Sequence, residues 1–236
     1  MSKSMKIFLN IVVVALVGIV VFLVIRNFMT SGKVKREIKE VYELIYQREH
    51  YDYNAIYDHF DNIVSKDGYA IVEMAAKDYL RNVFEKYVEL NEIITDDDVA
   101  EILTIANYKT DGPDFTETKD YLKKAKQDIL NLEATMLADL NIDTMMAYIV
   151  DTNLEDSYVT LYTNLEFFDE DNIKNAKQDL ENGVDLFVEL IESLEEIIDF
   201  LIDNNTQWEI VDDMLYFDDP SLSEQYNQMI EEIANL

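Results

Sequence analysis

The sequence predicts a mainly α protein: a single N-terminal transmembrane helix, then an elongated helical bundle with coiled-coil-like helices, closed by a short C-terminal β-hairpin and a last helix. Three observations predict it. An uncharged apolar run extends from Ile7 to Ile25, between Lys6 and Arg26, and at about 1.5 Å per residue a helix of that length matches a bilayer's hydrocarbon core. Apolar residues downstream recur at three- and four-residue spacing over long stretches, which is the period of a helix face. Only 5 Gly and 2 Pro occur in 236 residues, too few for the many turns that a sheet or barrel needs.

The apolar run, marked along its length by Ile7, Val12, Val17, Val21 and Ile25, is rich in β-branched residues. That does not oppose a helix here, because in lipid every backbone N–H and C=O must be satisfied within the segment. A cleaved signal has a shorter core, about 7–15 residues, and ends in small residues. This run ends Phe22-Leu23-Val24-Ile25-Arg26, with no such site. An uncleaved signal anchor is therefore expected. The chain divides into a tail at 1–6, a span at 7–26 that enters the lipid bilayer, a basic juxtamembrane segment at 27–40 and an acidic helical-bundle domain at 41–236.

Charge is unevenly placed. Residues 1–40 carry seven Lys and Arg against Glu37 and Glu40, a net of +5, so the remainder of a chain at −30 carries −35. Beyond Lys177 there are 17 Asp and Glu and no Lys or Arg. Nucleic-acid binding is excluded, since phosphate contacts need clustered cations. The same holds for this domain lying on anionic lipid. Partners are expected to be cationic or neutral, and much of the acid reads as a solvated, repulsive coat. No Cys is present, which excludes disulfides, thiolate metal sites, Cys nucleophiles and a lipid-modified N-terminal Cys. Orientation signals conflict. Arg26, Lys33, Lys35, Arg36 and Lys39 outnumber Lys3 and Lys6, which favours a cytoplasmic domain. The short basic tail has the form of a signal-anchor leader, and the Cys-free, Asn-, Asp- and Tyr-rich composition resembles exported domains of Gram-positive bacteria. The domain is expected on the extracytoplasmic side of the cell membrane.

The elements follow in order. Val34, Ile38, Val41, Leu44 and Ile45 resume a helical stripe after the Met29–Gly32 break. Arg48 to Phe60 is expected to be helical in part. Lys66-Asp67-Gly68 signals a turn, and Val72, Ala76, Tyr79, Val83, Tyr87, Leu90 and Ile94 then form one stripe. Thr95 to Asp98 caps a short helix to about Tyr108, and Thr110 to Asp114 is a loop. Thr116 or Thr118 caps a helix with its seam at Leu122, Ala125, Ile129, Leu132 and Met136. Breaks at Asn141–Thr144 and Asp151–Asn153 flank one helical stretch, and another runs from Leu154 to Phe168. The longest helix starts at Asp169–Asp171, with a near-heptad seam at Ile173, Ala176, Leu180, Val184, Phe187, Ile191, Leu194, Ile198 and Leu201. Residues 120–129 and 171–180 share a phrase, and a duplicated hairpin is one reading of it. Trp208–Ile210 and Met214–Phe217 read as two strands around Asp212-Asp213, with Trp208, the only Trp, as a structural anchor of the hairpin. Ser221 and Glu224 have capping-box spacing for a last helix through Ile233.

The phrase Met214–Phe217 followed by Ser223–Ile230 resembles the ending of uncharacterised bacterial envelope proteins. These join a membrane anchor to a helical domain closed by a hairpin and a terminal helix. The resemblance covers only the C-terminal end of the chain, implies an envelope helical domain and brings no catalytic residues with it.

Chemical motifs are scarce. Asp151-Thr152-Asn153-Leu154-Glu155-Asp156 opens like an EF-hand loop, but Asp156 stands where Gly is needed and Tyr162 where Glu is needed. Asp96–Asp98 lacks a second half. His50 and His59 are nine residues apart, so one helix turn does not hold both, and no His-Glu-x-x-His pattern occurs. No phosphate loop, dinucleotide-binding turn or Gly-x-Ser-x-Gly elbow is present. No catalytic residue, cofactor, metal site or small-molecule ligand is assigned. Tyr51, Tyr53 and Tyr57 with Phe60 form the candidate interaction surface, because aromatics mark contact surfaces. The expected role is a membrane-anchored interaction module for a protein partner. One alternative is a structural protein self-associating through the 171–203 helix; another is an enzyme or cation-binding domain using clustered carboxylates.

Overall fold

The structure, a computed structural model, describes residues 32, 34, 36–38, 40–41, 53–150, 153–165 and 170–236. The expected span at 7–26, with Ile7, Val12, Val17, Val21 and Ile25, lies outside these residues, as do Tyr51 and His50. Among the described residues no helix is long and apolar enough to cross a membrane. They are mainly helical, with one two-stranded antiparallel hairpin and a final helix. Two compact units are formed. One takes Leu90–Leu132 and Asn182–Leu236; the other falls within Leu16–Glu89 and Glu133–Glu181.

In the second unit, the described residues at 34–41 are helical. They are followed by α1 (Tyr53–Asp61) and α2 (Gly68–Ile94), which gives its last turn to the other unit. Asp67 takes φ 55 in the turn before α2, a conformation Asp tolerates better than most residues. Val34 and Ile38 are buried with Val72, Ala75, Ala76, Tyr79, Met145, Ile149, Tyr162 and Leu165. Val41 joins a second cluster with Ile56, Phe60, Phe84 and Tyr87. The packed stripe therefore crosses the domain boundary drawn from sequence between residues 40 and 41. The unit is completed by the end of α5 (Thr116–Asp139), α6 (Ile142–Ala147), α7 (Asp156–Thr163) and the start of α8 (Glu170–Asp203). Asn141 caps α6 by accepting from Asp143 N at 2.8 Å.

The first unit opens with a correction. The single helix expected over 97–108 is two, α3 (Asp97–Glu101) and α4 (Ile105–Thr110). Thr104 takes an extended conformation and accepts from Asn107 N, so a Thr that competes for backbone donors starts a new helix. The cap expected from Thr116 or Thr118 comes instead from Asp111. Its two carboxylate oxygens accept from Glu117 N at 3.1 Å and Thr118 N at 2.7 Å, while Thr118 is buried and bonded to Asn107. A loop that folds back brings a carboxylate, the better acceptor, to the orphan N–H groups of α5. Gly112 is required in that loop: a Cβ there would stand 2.4 Å from the Tyr108 carbonyl oxygen.

The two heptad-like seams are buried as their spacing implies, from Leu122 to Met136 in α5 and from Ala176 to Leu201 in α8; Ile173 is half-buried. The α8 seam on which self-association would rest is thus packed within the chain, with Ile191 and Leu194 at 0% and 1% exposure. The hairpin is β1 (Trp208–Val211) with β2 (Met214–Phe217), paired Trp208 to Phe217 and Val211 to Met214. Asp212 and Asp213 both take positive φ, 49° and 59°. That is the two-residue turn whose twist suits a hairpin, here made without Gly. Finally α9 (Pro220–Ile233) is capped by Asp219, which accepts from Ser221 N, rather than by Ser221. Pro220 occupies the first helical turn, where its fixed φ and missing N–H cost nothing, and this places the cap at Asp219, two residues before Ser221.

Candidate functional site: a buried lysine among carboxylates

Four residues from three chain segments meet inside the second unit. Lys77 and Glu73 lie one turn apart on α2, on the face that carries Val72 and Ala76. Glu37 sits beside Ile38 on the helical segment at 34–41, and His59 is in the last turn of α1. Lys77 and Glu73 are fully buried and Glu37 is 6% exposed. The Lys77 ammonium has three donors and meets three acceptors: Glu37 Oε1 at 2.8 Å, Glu73 Oε1 at 2.9 Å and the Asn62 carbonyl at 2.6 Å. Glu73 also accepts from Val64 N at 3.0 Å and Ser65 N at 2.9 Å, so it pins the stretch between α1 and α2. Burial pushes the Glu73 carboxyl up, but the bonds from Ser65, Val64 and Lys77 outweigh it and hold it below its ordinary value. A buried charge is tolerable only with its partners in place, and here each partner is in place.

His59 stands at the mouth of this cluster, its Nδ1 3.3 Å from Glu37 Oε1. Glu40, exposed on the next turn of the same helical segment, completes a group of three possible ligands with Glu37 and His59. In sequence His59 has only His50 to be compared with, and the spacing gives neither a use. The signal that could have found the group is Glu37, which lies on the stripe of Val34, Ile38 and Val41 yet counts by position among the juxtamembrane charges.

The aromatic surface expected from sequence is only partly a surface. Phe60 is 2% exposed and packs with Phe84 at 6.0 Å between ring centres, so it is core, not contact surface: its position one turn after Ile56 puts it on the inner face of α1. Tyr57 is half-buried against Phe84 at 6.0 Å, and Tyr53 is exposed at the edge. Trp208 is half-buried; its Nε1 donates to the Leu201 carbonyl at 2.7 Å, and its ring lies 6.2 Å from Phe115. That carbonyl is among the last four of α8, which have no partner within the helix. Asp96 is the cap of α3, and Asp97 and Asp98 occupy its first turn, where carboxylates suit the helix dipole. Asp156 opens α7, where an EF-hand loop would need its turn. A cleft of about 300 Å³ in the first unit is lined by Asp98, Glu101, Asn107, Thr118 and Tyr121.

Comparison with protein-family models, with curated proteins and with solved structures finds no match to this chain.

Proposed function

We propose that this is a single-pass membrane protein, anchored in the lipid bilayer by a helix at 7–26, whose acidic helical domain is an interaction module on the outer side of the cell membrane. The anchor rests on the uncharged run from Ile7 to Ile25. The observation that carries the module is the outer face of α8. Asp185, Glu189, Glu192, Glu196, Asp199 and Asp203 succeed one another at three- and four-residue spacing, and all are exposed. The opposite face is the buried seam. A rigid helix thus holds a straight row of carboxylates toward solvent, which fits a basic protein surface better than a neutral one. Only Glu192 and Asp199 of this row meet a lysine of α5, Lys126 and Lys119 respectively, among the described ion pairs.

Full-length protein in nanodiscs of neutral lipid is titrated with a lysine-rich helical peptide. Changing Asp185, Glu189, Glu196 and Asp203 to their amides is expected to weaken binding about tenfold, a loss near 1.4 kcal/mol, while amides at Asp78, Glu85, Asp120 and Glu155 leave it unchanged. Equal losses in both sets would show a diffuse coat and no module. Protease added to intact cells should digest the domain; protection would overturn the outer placement.

A further inference from the structure

Glu37, Glu40 and His59 each bring a ligand atom within 4.8 Å of the others, although 22 residues separate Glu37 from His59. The contact between His59 Nδ1 and Glu37 Oε1, 3.3 Å, is long for an N–H···O bond, for which about 2.9–3.0 Å is usual. It matches another geometry. Two ligands bound at about 2.0–2.1 Å to one tetrahedral ion lie about 3.3 Å apart.

Charge points the same way. Buried Glu37 and Glu73 with exposed Glu40 bring three negative charges to the group, and buried Lys77 brings one positive charge. With a neutral imidazole the group carries two uncancelled negative charges, which one divalent ion balances. Glu37 Oε1 has a second lone pair after accepting from Lys77, so the lysine bond need not break; it serves to orient a ligating carboxylate. The donor set also selects the ion. Calcium and magnesium prefer larger sets of oxygen ligands, whereas an imidazole nitrogen with two carboxylates suits zinc and its first-row neighbours.

We infer that Glu37, Glu40 and His59 form a binding site for a divalent transition ion of the zinc class, with a fourth position open to water on the side of Glu40. Binding there ties the helical segment that carries Glu37 and Glu40 to α1, beside the Lys77 cluster. This inference is independent of the proposed binding of basic partners.

The test uses the full-length protein in detergent micelles with excess Ca²⁺, which occupies diffuse carboxylate sites. Titration calorimetry with Zn²⁺ is expected to give one ion per chain, and Co²⁺ to give the intense visible bands of a four-coordinate site. Glu40→Gln and His59→Ala change residues that face solvent in whole or part, so melting without metal should be close to wild type. Each is expected to weaken Zn²⁺ binding at least about tenfold, the scale of disturbing a ligand set, while Asp97→Asn in the other acidic cluster leaves it unchanged. Unaltered affinity in either ligand variant, an equal loss in Asp97→Asn, or several ions per chain displaced by Ca²⁺ would each overturn the site.

Discussion

Lys77 and Trp208 both carry a polar atom into a packed interior, and the two units hold them by different means. Around Lys77 the second unit buries full charges, and every ammonium proton has an oxygen to meet. Around Trp208 the contacts among the described residues are neutral. The indole N–H meets one orphan helix carbonyl, the ring lies against Phe115 and Tyr108, and the Tyr108 hydroxyl bonds that of Tyr226 at 2.7 Å. A neutral hydrogen bond lost inside a protein costs the desolvation of one group, whereas a charge left without its partner costs several times more. The Trp208 arrangement therefore tolerates the loss of one bond, and the Lys77 arrangement does not.

Four experiments break or sharpen that contrast, in order of expected effect. Lys77→Met strands two buried carboxylates and should lower stability by about 3–5 kcal/mol in urea unfolding. Adding Glu37→Gln and Glu73→Gln should recover most of that loss; no recovery would mean that Lys77 acts by packing alone. Trp208→Phe keeps the ring contacts and removes one donor, so about 1–3 kcal/mol is expected, clearly less than Lys77→Met. A loss as large would erase the contrast. Tyr226→Phe should cost about 0.5–1.5 kcal/mol. Its partner Tyr108 is raised above the ordinary tyrosine value by burial and by Tyr226, so the wild-type contribution persists at neutral pH and fades only as the solution becomes alkaline. Lys124→Ala, which opens an exposed pair with Asp128 at 3.5 Å, should change stability by less than about 0.5 kcal/mol.

The same contrast has a pH signature. The folded-state value of Glu73 lies below its ordinary 4.5. Its contribution is therefore complete above that value and is lost as pH falls through the lowered folded value. Acid unfolding of the wild type should include this loss, and Glu73→Gln should lack it. A wild type and a Glu73→Gln variant with the same pH dependence below 4.5 would remove the buried carboxylate from the account.

Much of the helical architecture was legible because its signal is local. The seams at Leu122–Met136 and Ala176–Leu201 repeat within a few residues of themselves, and a stripe of that period has no other way to be buried than along one face of a helix. The Asp212-Asp213 turn and its two strands were legible for the same reason. Cap assignments failed where a residue outside the helix had the better reach. Asp111 serves α5 from across a loop, and Asp219 serves α9 because Pro220 shifts the first turn. The break at Thr104 was hidden because Ile102 and Tyr108 continue an apolar pattern that two short helices satisfy as well as one. Phe60 was misread because an aromatic in a Tyr-rich segment looks the same in sequence whether it faces solvent or Phe84.

By itself, then, the sequence determined the apolar run at 7–25, the steep change from basic to acidic charge, the buried faces of the long helices and the closing hairpin. Each depends on residues within one or two turns of one another, where the chain has already fixed their spacing. Only the tertiary structure decided that Glu37 is buried and not a surface charge, that Lys77 is buried, and that His59 stands beside two carboxylates from a segment some 20 residues earlier. Those facts depend on which faces meet, and a charge on a helix gives no sign in sequence of whether water or another helix will cover it.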